Sequence, residues 1–175
     1  MHYRFLLVEV KVGEGYAVFM NDLVGKPAPE FKLLDDEGNE RSLAEFKGKT
    51  VLLFFYPKDM TSGCTVEVCT LRNRMNDLKD AGVQVLGVSK DSVESHKKFK
   101  EKENLNFPLL ADTEKKALEA YGVWKQKSMY GKIFMGIIRE SFLIDGNGFV
   151  VKHYKKVKPA EHAQEVLDDV KTMNL

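Results

Sequence analysis

FFYPKDMTSGCTVEVC, from Phe54 to Cys69, carries both cysteines of this 175-residue chain. It opens at the end of the apolar run Thr50 to Tyr56, whose aromatic and branched residues read as a strand buried on both faces. Pro57 ends that strand, because it has no N–H to offer a neighbour. Helical spacing sets in from Thr65 to about Leu78, with Val68, Leu71, Met75 and Leu78 on one stripe. A buried strand that feeds directly into a helix is the opening of a β–α unit.

With Thr61 or Ser62 as the cap, Cys64 falls in the first turn of that helix. Unpaired backbone N–H groups point outward there and the helix dipole is positive, so a thiolate is favoured. The neighbours Lys58, Asp59, Thr61, Ser62 and Gly63 are polar or small, which reads Cys64 as an exposed nucleophile rather than a packed side chain. Gly63 lets the backbone come close to another group. Cys69 lies five residues further on. On an ideal helix its Cα is about 8.6 Å from that of Cys64, and a disulfide needs roughly 7 Å or less. The two sulfurs can bond only if the first turns unwind. The alternative for Cys69 is a packed helical position beside Val68.

The same strand and helix patterns continue on both sides. Downstream, Val83 to Val88 is a second buried strand, and Asp91-Ser92 caps a polar helix in which Val93, His96 and Phe99 are periodic. Phe107 to Leu110 reads as a short strand and Thr113 to Tyr121 as a helix ended by Gly122. Ile137 to Ile144 and Phe149 to Tyr154 form a hairpin about Asp145-Gly146-Asn147-Gly148, and Pro159 opens a last amphipathic helix through Val166, Val170 and Met173. Upstream, Phe31 to Leu34 and Arg41 to Leu43 flank a turn at residues 35–39. The order describes an α/β domain, residues 20–175, with a mixed central β-sheet flanked by helices. Residues 1–19, with YRFLLVEVKV and YAVFM about Gly13-Glu14-Gly15, read as an N-terminal β-hairpin extension outside that domain.

Composition excludes several functions. Net charge is +1, with acids and bases interleaved, so no concentrated basic surface for nucleic acid is expected. The basic run KHYKK, Lys152 to Lys156, reads as a solvated strand end. No apolar stretch approaches the roughly 18 residues of a membrane helix, and no cleavage site follows the first twenty residues. Two cysteines are too few for the disulfide framework of a secreted mini-domain, so a reducing, cytoplasmic setting is expected. His2, His96, His153 and His162 fall on separate elements and the cysteine spacing is not that of a zinc knuckle. No metal is expected. The glycine pairs at 13–15 and 146–148 lack the helix of a phosphate-binding loop, and no other cofactor is expected.

Pro57, Thr61 and Cys64, in the pattern proline, three residues, threonine, two residues, cysteine, resemble the active site of the peroxiredoxins. The position of Cys69 is similar to the Q-type, or bacterioferritin-comigratory-protein, subgroup. GKPAPEF, FFYPKDMTSGCTVE, YGVWKQKSMYGK and GIIRESFLID extend the resemblance over Leu23 to Asn174. It implies a thioredoxin-like fold and thiol-dependent reduction of hydrogen peroxide and organic hydroperoxides, with Cys64 the peroxidatic cysteine and Cys69 the resolving one. It further implies that Thr61 hydrogen-bonds thiolate and peroxide, that Pro57 shields the pocket, and that Arg139 stabilises the developing charge. A thioredoxin or glutaredoxin-like dithiol would recycle the enzyme, as a monomer or homodimer. Ser62 departs from the family pattern, which commonly has proline there.

Around this centre, Glu67 is expected either to pair with a cation such as Arg139 or simply to suit the helix dipole. Tyr121, Trp124 and Tyr130 are expected to form an aromatic rim over the site. Two other functions fit a similar fold. A thioredoxin-type thiol–disulfide oxidoreductase would want its cysteines two residues apart, and a redox-sensing binding domain would keep the fold without turnover.

Overall fold

Every residue of the strand Thr50–Phe55 is buried, and alternate side chains feed two separate cores. The computed structural model describes residues 22–175 and the backbone of residues 9–12 and 15–18. In chain order its elements are β1 (Glu9–Val12), β2 (Gly15–Val18), β3 (Lys32–Asp35), β4 (Glu40–Ser42), β5 (Thr50–Phe55), α1 (Ser62–Asn73), α2 (Met75–Asp80) and β6 (Val83–Ser89). There follow α3 (Val93–Glu103), β7 (Leu109–Ala111), α4 (Lys116–Ala120), β8 (Trp124–Met129), β9 (Lys132–Ile137), β10 (Glu140–Ile144), β11 (Val150–Tyr154) and α5 (His162–Met173).

The central sheet is mixed and seven-stranded, in the order β11-β10-β5-β6-β7-β3-β4. β5, β6 and β7 run parallel, and antiparallel strands close both edges. Val51, Leu53 and Phe55 point to the face covered by α4 and the 3₁₀ turn Leu43–Phe46. Leu52, Phe54 and Tyr56 point to the opposite face, covered by α1, α2, α3 and α5. Close packing on this second face explains a glycine inside a buried strand. A Cβ on Gly87 would lie 2.6 Å from the Phe54 ring and 2.8 Å from Leu109.

The hairpins and long strands lie where the patterning places them, while several boundaries differ. The helix expected over Thr65 to Leu78 begins at Ser62 and breaks at Arg74, giving α1 and α2. The strand expected at Phe107 to Leu110 is Leu109–Ala111, since Pro108 cannot donate to the ladder. The helix expected from Thr113 is only Lys116–Ala120, because the Asp112 carboxylate accepts the N–H groups of Lys116 and Leu118 and sets its start. The strand expected from Ile137 to Ile144 is interrupted: Ile138 and Arg139 lie between β9 and β10. The ribbon β8–β9 was not anticipated. Its turn, Tyr130-Gly131, has two successive positive φ angles, 51° and 73°, as a tight hairpin requires.

The KHYKK run is not one solvated end. Tyr154 is buried, His153 pairs with Glu140 at 2.7 Å, and within the run only Lys155 and Lys156 are exposed. In the N-terminal segment, β1 and β2 pair antiparallel from Glu9↔Val18 to Val12↔Gly15 and form a sheet of their own. The other residues of that expected hairpin, and their side chains, lie outside the described residues.

Candidate active site

The loop from Tyr56 to Thr61 carries the chain from β5 to α1 and is fastened by Asp59. The Asp59 carboxylate accepts hydrogen bonds from the Tyr56 hydroxyl (2.6 Å) and Ser95 Oγ (2.7 Å), and lies 2.9 Å from His96 Nδ1. Its backbone N–H donates to Asp91 Oδ2 at 2.9 Å. His96 Nε2 faces the Leu110 carbonyl oxygen at 3.1 Å, so both ring nitrogens meet acceptors. Burial pushes the Asp59 acid up, but His96 and the two hydroxyls outweigh it and hold the carboxyl below its ordinary range. Burial, with the Asp59 charge beside it, raises the Tyr56 phenol far above its usual value. The loop between β5 and α1 is thereby tied to α3 through Ser95 and His96.

Cys64 lies in the first turn of α1, as expected, but not exposed: it is 1% accessible. The cover comes from far along the chain. Arg139 Nη2 donates to Cys64 Sγ at 3.2 Å, and the guanidinium lies so close over Gly63 that a Cβ there would be 3.2 Å from Nη2. Arg139 Nη1 is hydrogen-bonded to Glu67 Oε2, so of the two readings of Glu67 the structure shows the ion pair. Glu67 is completely buried, and burial pushes its acid up to about 7 against the opposing pull of Arg139. Burial alone would make the Arg139 guanidinium easier to deprotonate, yet the charges of Glu67 and Cys64 beside it raise its pKa overall.

The strand junction that presents Arg139 is itself held. Ile138 N–H donates to the Val123 carbonyl (2.9 Å), Lys127 Nζ to the Ile137 carbonyl (3.0 Å), and Lys125 Nζ reaches Glu140 at 2.9 Å. The β8–β9 ribbon thus braces the arginine, which no local signal in residues 124–137 announced.

Thr61 is the N-cap, yet its side chain makes no capping bond. Its hydroxyl donates to the Lys58 carbonyl at 2.8 Å rather than to Cys64, and the residue is exposed. Ser62 is the first helical residue, where a backbone N–H has no helical partner and proline is equally at home. Pro57 is half-buried immediately after Tyr56.

Cys69 lies in the same unbroken α1 and is half-buried; both cysteines are free. Its Sγ is 3.5 Å from Glu103 Oε2. Burial raises the thiol above its ordinary value, with Glu103 adding to the shift and Arg72 opposing it. The aromatic rim is a correction. Tyr121 and Trp124 pack into the core on the other face of the sheet from Cys64, and Tyr130 is 97% exposed at the tip of the ribbon. Among the described residues no cluster of three or more His, Cys, Asp or Glu is arranged to hold a metal ion.

The chain matches the AhpC/TSA family over residues 24–153. It is 46% identical over 151 residues to peroxiredoxin Bcp of Bacillus subtilis, covering 86% of this chain and 96% of that protein. Its identity to peroxiredoxin Bcp of Escherichia coli K12 is 47% over 153 residues, covering 87% and 98%. Among solved structures, that of the Xanthomonas campestris bacterioferritin comigratory protein, studied for its alkyl peroxide reduction activity, superposes with a TM-score of 0.78 at 38% identity, over 83% of this chain and 92% of the other. A cysteine-to-serine variant of PrxQ from Xylella fastidiosa superposes with a TM-score of 0.83 at 31% identity, over 91% and 100%.

The raised Glu67 acid has a consequence for stability. A carboxyl whose folded value lies above its unfolded one contributes stability that is full below the ordinary value of 4.5 and is lost as pH rises through about 7. Denaturant unfolding of the native chain and Glu67→Gln, compared from about pH 4 to pH 8, should show a difference in stability that shifts in favour of the glutamine variant as pH rises across that window. A pH-independent difference would show that Glu67 is not the titrating group.

Proposed function

Since the chain belongs to the AhpC/TSA family and is a thiol-dependent peroxidase of the peroxiredoxin Bcp/Q kind, we propose that Cys64 is the sulfur that reacts and that Cys69 resolves it within the same chain. The observation that carries this reading is Arg139 Nη2 at 3.2 Å from Cys64 Sγ, with the other guanidinium nitrogen held by buried Glu67. The guanidinium remains protonated throughout and cannot act as a base. It serves as a fixed donor to the atoms where charge develops.

The Cys64 thiolate attacks one peroxide oxygen. The S–O bond forms as the O–O bond breaks, and the distal oxygen leaves as hydroxide or alkoxide and takes a proton from solvent. Cys64 is left as the sulfenic acid. Thr61 Oγ1, its proton committed to Lys58, accepts the hydrogen of the incoming hydroperoxide, and Pro57 excludes water beside it. The Cys69 thiol then displaces hydroxide from the sulfenic sulfur, giving the Cys64–Cys69 disulfide and water after the first turns of α1 unwind. The substrates are hydrogen peroxide and organic hydroperoxides, in keeping with the alkyl peroxide reduction activity of the Xanthomonas relative. A thioredoxin or glutaredoxin-like dithiol reopens the disulfide by exchange. The two free cysteines suit a reducing cytoplasm, and the enzyme works as a monomer or homodimer.

Residues 1–19 form an extension dispensable for turnover. The family match begins at residue 24, and β1 and β2 form a two-stranded sheet of their own.

In an assay of peroxide consumption coupled to thioredoxin, Cys64→Ser should abolish turnover, and appreciable residual activity would refute its assignment. Cys69→Ser should react once and accumulate the Cys64 sulfenate, detected by mass; full cycling of that variant would mean that the reductant attacks Cys64 directly. The chain lacking residues 1–19 should turn over like the full chain, and a large loss would make the extension part of the enzyme.

A further inference from the structure

Cys69 is surrounded by contacts that the catalytic scheme leaves unused. The last residue of α3, Glu103, reaches α1 twice: its carboxylate lies 3.5 Å from Cys69 Sγ, and its backbone carbonyl accepts a hydrogen bond from Arg72 Nη1. Asn106 Nδ2 adds a longer bond to the Arg72 carbonyl, 3.4 Å. Val68 and Leu71, on either side of Cys69, are completely buried in the core beneath. This half of α1 is therefore fastened to α3 and to the sheet. The half containing Cys64 is the helix terminus, where backbone bonds are fewest. When the helix opens, the terminal turn is the part that moves, and Cys69 stays beside Glu103.

We propose that Glu103 is the general base of the resolving step, accepting the Cys69 proton as the sulfur attacks the Cys64 sulfenic acid. This rests on Cys69 being the resolving cysteine. The step balances: the Cys69 electron pair forms the S–S bond, the S–O bond of the sulfenic acid breaks, and hydroxide leaves. The proton taken by the carboxylate neutralises that hydroxide to water, and Glu103 returns to its starting state. A base is useful at this position because a cysteine thiol is mostly protonated at neutral pH, and burial with Glu103 beside it pushes Cys69 further that way. A thiol without an acceptor attacks only in its small ionised fraction. Arg72, on the neighbouring turn and opposing that shift, offsets part of the negative charge that accumulates during transfer.

The test is a single turnover of the full chain with one equivalent of hydrogen peroxide, acid-quenched and read by mass spectrometry between about pH 6 and pH 9. Sulfenate and disulfide differ in mass, so the two steps are followed separately in the same samples. With a general base in place, disulfide formation in the native chain should vary little over this range, since carboxylates ordinarily stay ionised throughout it. In Glu103→Gln the rate should fall by at least roughly tenfold near pH 6 and climb with pH as the thiolate forms. Glu103→Asp, which keeps the carboxylate on a shorter stem, should be slower than the native chain but keep its shallow pH profile, which a merely structural role for Glu103 would not produce. Equal rates and equal slopes in the native chain and Glu103→Gln would overturn the proposal while leaving Cys69 as the resolver. Absence of any Cys64–Cys69 bond in the native chain would overturn the resolving role itself, and the base with it.

Discussion

A guanidinium clasped between a buried carboxylate and a buried sulfur holds the start of α1 to the sheet. Glu67 and Cys64 are both inaccessible, one helical turn apart on α1, and Arg139 arrives from the sheet to meet both. An ionised carboxylate with no partner would be costly at that depth. Removing one partner of such a pair commonly costs about 3–5 kcal/mol. The pair therefore does two things at once. It makes the charge on Glu67 tolerable, and it fixes the second guanidinium nitrogen over the sulfur without recourse to solvent. On the proposed mechanism, a donor already in place need not reorganise when charge develops on the peroxide.

The surroundings follow from that requirement. Arg139 reaches over Gly63 from the break between β9 and β10, and Lys125 and Lys127 of β8 secure that break. On the other side, α3 grips the approach to α1 through Ser95 and His96 on Asp59, and grips its later turns through Glu103. Between these two attachments lies the short terminal turn with Cys64. On the proposed cycle this arrangement combines rigidity before the reaction with local opening after it, since Val68 and Leu71 anchor the later turns of α1 in the core.

Much of this was legible in the amino-acid order. The apolar run at Thr50 to Tyr56, the helix that follows and the final hairpin are all strong local patterns, and Pro57, Thr61, Cys64 and Arg139 stand out by motif. The concealment of Cys64 was not legible. Its neighbours in sequence are polar, and the group that buries it is 75 positions away. Tyr121 and Trp124 misled because their position in the sequence does not disclose which face of the sheet they join, and they pack with the core on the side away from Cys64. His96 fell on an apolar stripe and is buried as that stripe requires, but nothing local disclosed that its ring meets Asp59. The β8–β9 ribbon escaped because most of its residues are exposed, which erases the alternation that marks a half-buried strand.

The most direct test is the second-order rate of sulfenate formation at Cys64 in Arg139→Lys, measured by rapid mixing with hydrogen peroxide. Lysine keeps the positive charge beside Glu67 but lacks the planar fork that reaches carboxylate and sulfur together. The predicted result is a loss of about a hundredfold or more in a folded protein that still reacts at Cys64. A rate within a few-fold of the native chain would contradict the central role given to this contact.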